Sequence, residues 1–242
     1  MGVRYIHTRL EAKWLGNRMS KRIPKVLCII PSLPEDLHPL TVKSILEQSF
    51  PIEMLVILPK KVQGKTVAAK VSKVLNEGLQ HIKLEDFDYI LRIDGDVVLP
   101  PNFLEEALKE EPDLYGGAGY AMLIKVKSFL RVMNGKFHPE SDDSYTIYKF
   151  MQCGCNIIKR RKVEPILLRK SGRHHGVKYY VARGEIMYKV GYEPFHVLAS
   201  FYWDLWNIFA VFGYFIALLK HEKKFDVAKF VWNKQVRRLL RF

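Results

Sequence analysis

Cysteine is scarce in this chain: Cys28, Cys153 and Cys155 are the only three among 242 residues. Three thiols, an odd number, exclude a disulfide framework, and a chain of this length can bury a core without one. Reduced thiols in a cytosolic setting are the expectation. Acidic charge is short as well, with 25 Asp and Glu against 39 Lys and Arg and a formal net charge of +14. That imbalance points to a polyanionic partner: nucleic acid, an anionic membrane surface or a phosphorylated substrate. Composition does not choose among them. Low-complexity tracts and internal repeats are missing, and a 48% hydrophobic content excludes wholesale disorder. The first 25 residues scatter Arg4, Arg9, Lys13, Arg18, Lys21 and Arg22 among isolated apolar residues, without the apolar centre of a secretory signal. Residues 1–24 are expected to be a basic segment containing a short helix.

Beyond that segment the pattern alternates. Lys25-Val-Leu-Cys-Ile-Ile30, closed by Pro31, reads as a fully buried strand. Leu40, Val42, Ile45 and Leu46 follow at helical spacing up to Phe50-Pro51. A second strand over 53–58, a helix over 66–79 and a third strand over 88–93 complete a β-α-β-α-β order. This order predicts an α/β fold with a mostly parallel sheet flanked by helices on both faces. Further strands are expected over 114–126 and 151–158, and a short helical turn over 163–168. The expected organisation is one domain over 25–197 followed by a tail over 198–242.

The most informative tripeptide is Asp94-Gly95-Asp96, directly after the third strand. Open α/β sheets bind ligands at the carboxyl ends of their strands, so two carboxylates there face the ligand crevice. Two acids around a glycine can hold one hard divalent cation that keeps waters and bridges substrate phosphates. Taken alone the tripeptide is a weak signal and reads first as a plain surface turn, since such turns favour Asp and Gly.

Its surroundings add to the reading. The stretch from Ile29-Ile-Pro31 through Leu40-Thr-Val-Lys-Ser-Ile-Leu-Glu-Gln-Ser-Phe-Pro51 resembles the opening of family 2 glycosyltransferases of the GT-A fold. Phe87-Asp-Tyr-Ile-Leu-Arg-Ile-Asp-Gly-Asp-Val-Val-Leu-Pro-Pro-Asn-Phe-Leu104 is similar to that family's strand, Asp-x-Asp motif and following helix. Gly154-Cys-Asn-Ile-Ile-Lys-Arg-Arg161 and Gly191-Tyr-Glu-Pro-Phe-His196 are similar to two later motifs, in the family's order. The resemblance implies a GT-A (Rossmann-like) domain that transfers a sugar, with inversion, from a nucleotide sugar. It implies that Asp96 holds Mg²⁺ or Mn²⁺ on the nucleotide diphosphate and that Asp94 contacts the nucleotide sugar. It further places Pro31, Ser32 and Glu35 in the nucleotide-binding turn and Lys65 near the base or phosphates.

The family also carries an acidic pair some way after its arginine strand, one member of which is the catalytic base. Here that region reads Ser171-Gly-Arg-His-His-Gly-Val177, without a carboxylate. Glu185, the nearest downstream acid, is the candidate base, and Asp142-Asp143 lie upstream. A sugar hydroxyl needs a base as it attacks, whereas a phosphate monoester is already largely anionic at neutral pH. The expected acceptor is therefore a lipid phosphate of the polyprenyl (dolichyl) type. Arg160, Arg161, Arg173, His174 and His175 are candidates to hold it, because arginine offers phosphate a planar fork of donors. A sugar or protein hydroxyl acceptor is the alternative.

The tail combines an aromatic-rich apolar stretch, 198–219, interrupted by Asp204 and Asn207, with a basic stretch, 222–242. Three arrangements are open: helices lying in the plane of an anionic membrane at the cytoplasmic face, a single span, or a buried helical pair. A nucleic-acid binder would share the positive charge, but no helix-turn-helix, RNA-recognition or zinc-finger signature is present, and nucleic acid is not expected as a partner. A catalytically silent membrane adaptor is the remaining rival.

Overall fold

The computed structural model describes residues 7–9, 22–50, 52–57, 59, 62–117, 119–169, 176–202 and 204–240. The chain divides into two units, 1–169 and 170–242. In the first unit, the apolar run closed by Pro31 forms β2 (Val26–Pro31), buried at every position as an interior parallel strand must be. Beside it run β3 (Ile52–Ile57) and β4 (Tyr89–Ile93), both parallel to β2 and in register with it from Val26. The connections are α1 (Pro39–Leu46) and α2 (Val67–Leu79). Pro39 opens α1 while His38 Nδ1 accepts the Leu40 N–H at 3.2 Å, and Thr66 Oγ1 caps α2 by accepting the Ala69 N–H at 3.0 Å. These five elements match the sequence expectation. The core lies against their sheet, with Cys28, Ile30, Ile45, Leu91 and Ile93 sealed from solvent.

The remainder of the sheet is mixed. After β5 (Val97–Val98) and α3 (Phe103–Leu108), the expected strand over 114–126 is instead a hairpin of β6 (Leu114–Tyr115) and β7 (Ala121–Lys125). Its turn leaves β6 through Gly116 at φ 110°, a conformation open to glycine. The hairpin sends β7 back antiparallel to β4, and β1 (His7–Arg9) pairs antiparallel with β3, so the sheet is not uniformly parallel. The three residues of β1 are strand where a helix was expected. Two helices follow, α4 (Val126–Met133) and α5 (Ser144–Gln152), so Met151 and Gln152 end a helix. Only β8 (Ile157–Ile158) is strand in the predicted 151–158 segment, giving the order β1-β3-β2-β4-β7-β6-β8. β9 (Ile166–Leu167) replaces the predicted helical turn, because Val97 and Val98 offer it an antiparallel edge.

The second unit is helical: α6 (Gly176–Val190), α7 (Pro194–Ala199), α8 (Asn207–Leu219) and α9 (Ala228–Leu239). Within this unit α6 packs on α8. A Cβ on Gly184 would stand 1.8 Å from the Ala210 carbonyl oxygen, and one on Gly213 would stand 2.0 Å from that of Val181. Only glycine permits so close a crossing. The apolar stretch over 198–219 is broken by a 3-10 turn, Ser200–Tyr202, and by its two polar residues. Asp204 accepts from Trp206 N and Tyr180 Oη, both at 3.1 Å, and Asn207 Nδ2 donates to the Ser200 carbonyl at 2.8 Å. α8 is thus 13 residues, about 20 Å, against a bilayer core of roughly 30 Å. Among the described residues no helix is long and apolar enough to cross a membrane.

Candidate active site

Because β2, β3 and β4 are parallel, the loops leaving their carboxyl ends share one edge of the sheet. That edge gathers Pro31, Ser32 and Glu35 after β2, Lys65 before α2, and Asp94-Gly95-Asp96 after β4. Each residue of the acidic turn is pinned through its backbone to a different element. Asp94 N donates to the Tyr120 carbonyl at 3.0 Å. The Gly95 carbonyl accepts from His38 N at 2.8 Å and from Thr41 Oγ1 at 3.0 Å. The Asp96 carbonyl accepts from Leu168 N at 3.0 Å. Gly95 is where two loops meet: a Cβ there would lie 2.5 Å from Ser32 Oγ and 2.9 Å from Ser32 Cβ. The expected nucleotide turn therefore rests directly on the glycine of the acidic turn.

Beneath the turn lies Arg92, buried with Asp142. Its Nε and Nη2 reach Asp142 Oδ2 at 3.0 and 2.8 Å, and Nη1 reaches Asp94 Oδ1 at 2.6 Å. Nη1 also donates to the Gly119 carbonyl. Burial works against the Arg92 cation, but Asp94, Asp142 and Asp143 outweigh it and hold the guanidinium protonated. Burial pushes the Asp142 carboxyl up to about 6, with Arg92 opposing and Asp143 and Asp94 reinforcing. Asp94 is likewise pushed above its ordinary value by burial, against Arg92 and together with Asp96 and Asp143. Asp94 is thus an oriented carboxylate. Asp96 is half-buried and, among the described residues, its side chain makes no hydrogen bond or ion pair.

The other candidates divide. Pro31 ends β2, and Ser32 is buried with Oγ on the Leu33 carbonyl at 3.0 Å, while Glu35 and Lys65 are exposed on their loops. Arg160 is exposed. Arg161 is a correction: it is buried, stacked on the Tyr120 ring at 4.6 Å, and donates to Tyr120 Oη at 3.0 Å and to the Ala121 carbonyl. Its fork braces the β6–β7 turn and is not offered to an acceptor phosphate. Arg173, His174 and His175 lie outside the described residues. Glu185 belongs to α6 in the second unit, where Lys189 Nζ lies 2.7 Å from its carboxylate.

Arg92 and Arg169 escaped the sequence reading, and Asp143 was noted there only as an acid lying upstream. Arg92 was visible as a lone cation inside an otherwise apolar strand. Asp143 precedes α5 and is electrostatically coupled to Asp94, with its side chain over Gly119. Arg169, one of many cations in its stretch, follows β9; its Nη1 reaches Asp36 Oδ1 at 2.8 Å, and it lies in the field of Asp96.

The donor set suits a diphosphate-bridging metal. Among the described residues no three His, Cys, Asp or Glu gather to cage an ion. One oriented and one open carboxylate match a hard divalent cation that draws its other ligands from water and phosphate, and Asp96 would hold it.

A mixed α/β sheet with an acidic turn at the end of its central strand is a GT-A type architecture. The chain is similar to the mannosyltransferase PcManGT from Pyrobaculum calidifontis, solved in complex with GDP-Man and Mn²⁺. The match has a TM-score of 0.52 and 17% sequence identity and covers 90% of this chain and 81% of that one. At that identity the likeness establishes the fold. No protein-family model and no curated protein matches the chain.

Proposed function

We propose that this chain is a metal-dependent glycosyltransferase that moves a sugar, with inversion, from a nucleotide sugar to a lipid phosphate of the polyprenyl type. The observation that carries the reading is the acidic turn. It is fixed by three backbone anchors and by Arg92, it lies under the Ser32 loop, and among the described residues the Asp96 side chain makes no hydrogen bond or ion pair. The GDP-Man and Mn²⁺ bound by the similar mannosyltransferase support a nucleotide-sugar donor and a divalent metal. When bound, Mg²⁺ or Mn²⁺ supplies countercharge for the departing diphosphate.

The chain's own residues do the rest. Arg92 orients Asp94 toward the donor, Gly95 lets the Ser32 loop close over the turn, and Arg169 adds a cation beside Asp96. An acceptor phosphate oxygen attacks the anomeric carbon, a new carbon–oxygen bond forms, and the bond to the nucleotide diphosphate breaks with its electron pair on the diphosphate. No proton needs to move, since the acceptor oxygen is already anionic. Arg160 is the described cation offered to that acceptor. Nucleotide sugars are cytosolic, so the reaction would take place at the cytoplasmic face of the cell membrane.

A hydroxyl acceptor is the second reading, and one observation favours it. Asp143, coupled to Asp94, supplies the carboxylate that the region over 171–177 lacks. The test is transfer of radiolabel from GDP-mannose and a panel of other nucleotide sugars into solvent-extractable lipid, with Asp96→Asn as control. Label that needs Asp96 and a divalent metal supports the proposal. Label in soluble sugars or protein alone supports the second reading, and no transfer from any donor sinks both.

A further inference from the structure

The second unit carries an apolar face whose direction is fixed by packing. The glycine crossing of α6 and α8 turns Asn207, Ala210, Gly213, Tyr214 and Ala217 inward. Ile208, Phe212, Phe215, Ile216 and Leu219 recur at helical spacing on the opposite side, and all are exposed, Phe212 at 58% and Leu219 at 78%. α7 and the turn after it adjoin α8, and this part of the chain carries further exposed apolar residues, Phe195 at 71%, Tyr202 at 91% and Leu205 at 71%. Single exposed apolar residues are ordinary, but a contiguous set of large ones marks a contact surface.

We propose that this face rests in the surface of an anionic lipid bilayer, with α8 lying in the plane of the membrane. Three observations choose lipid over a second copy of the chain. α8 is too short to cross, while one of its faces is apolar along its whole length, the form of an interfacial helix. Exposed Tyr202, Trp206 and Trp232 supply rings that are apolar in body and polar at the edge, suited to headgroup depth. Charge decides the matter. Residues 170–242 hold 13 Lys and Arg against 5 acids, so eight of the fourteen net positive charges fall in under a third of the chain. Lys229, Lys234, Arg237 and Arg238 are exposed on α9. A second copy of this unit would bring like charge toward like, whereas acidic headgroups meet the unit with opposite charge.

The inference goes beyond sugar transfer, and vesicle binding requires neither donor, metal nor acceptor. The experiment is flotation of the full chain with vesicles of phosphatidylcholine alone and of phosphatidylcholine with phosphatidylglycerol. Flotation with the acidic vesicles, weakened by salt, is expected. Phe212→Glu with Leu219→Glu should reduce it at least about tenfold without altering the circular dichroism spectrum. Lys234→Glu with Arg237→Glu and Arg238→Glu, all at exposed positions, should abolish the preference for acidic lipid and serves if the first variant does not fold. Flotation unchanged in both variants overturns the proposal. So does a chain that floats with neither vesicle, or one that instead forms a dimer that Phe212→Glu dissociates.

Discussion

Arg92 and Asp142 form a buried ion pair, Nη2 to Oδ2 at 2.8 Å, directly beneath the acidic turn. The pair is 50 residues apart in sequence and ties β4 to the segment ahead of α5. Taking one partner from such a pair strands a charge in the interior, at a cost of about 3–5 kcal/mol, whereas replacing both with apolar groups of similar volume costs less. Asp94 stays on Arg92 in Asp142→Ala, so that variant should destabilise the first unit by up to about that amount, and Arg92→Met with Asp142→Leu and Asp94→Asn by less. Chemical denaturation of the three proteins checks the order. A triple variant weaker than Asp142→Ala would mean that the cluster contributes through something other than mutual charge compensation.

The same pair predicts a pH dependence. Burial raises Asp142 to about 6 in the fold, against about 3.9 in an unfolded chain. The folded state then holds a proton that the unfolded state releases, so this group's contribution to stability is complete below about pH 4 and is lost as the pH rises through about 6. Asp142→Asn removes the titration. The stability of the native chain relative to that variant should fall by on the order of 1 kcal/mol between pH 5 and pH 7.5. A flat difference across this window would mean that Arg92 keeps Asp142 ionised throughout.

Legibility in the sequence followed burial. β2 and β4 were readable because a strand covered on both faces is a continuous apolar run, and Asp94-Gly95-Asp96 stood out by following one. β9 was not readable: its two residues are exposed and owe their conformation to the edge offered by Val97 and Val98. α6 was hidden by buried polar and aromatic residues, Tyr180, Tyr188 and Lys189 among them, which blur an apolar stripe. Arg161 sits in a run of four cations from Lys159 to Lys162, and local sequence does not mark which of them turns inward. Only the distant Tyr120 ring and Ala121 carbonyl do so.

Gly95 offers a sharper test of the donor site. Its missing Cβ leaves room for Ser32, which the added methyl of Gly95→Ala would approach to 2.5 Å. Overpacking of this kind costs about 1–3 kcal/mol, which should appear as roughly tenfold or greater weakening of nucleoside diphosphate binding in Mn²⁺. Removing the Ser32 side chain removes the clash, leaving the Asp36 carbonyl at 3.4 Å as the next neighbour. Gly95→Ala should therefore cost little when made in Ser32→Gly, measured against Ser32→Gly alone by calorimetric titration. An equal loss in both backgrounds would show that the two loops do not meet at this site.

Asp143 separates the two acceptors. Its Oδ1 caps the first turn of α5 through Ser144 N, and the carboxylate is coupled to Asp94. Asp143→Asn keeps an oxygen for the cap but cannot take a proton. If the acceptor is a phosphate, no proton leaves it during attack, and the variant should retain turnover within a few-fold of the native chain. If the acceptor is a hydroxyl, loss of a positioned base should lower turnover by about 10²–10⁴-fold. Turnover of native and Asp143→Asn protein with polyprenyl phosphate and with soluble sugars distinguishes the cases. A large loss with the lipid phosphate would end the argument that the attacking group arrives already ionised.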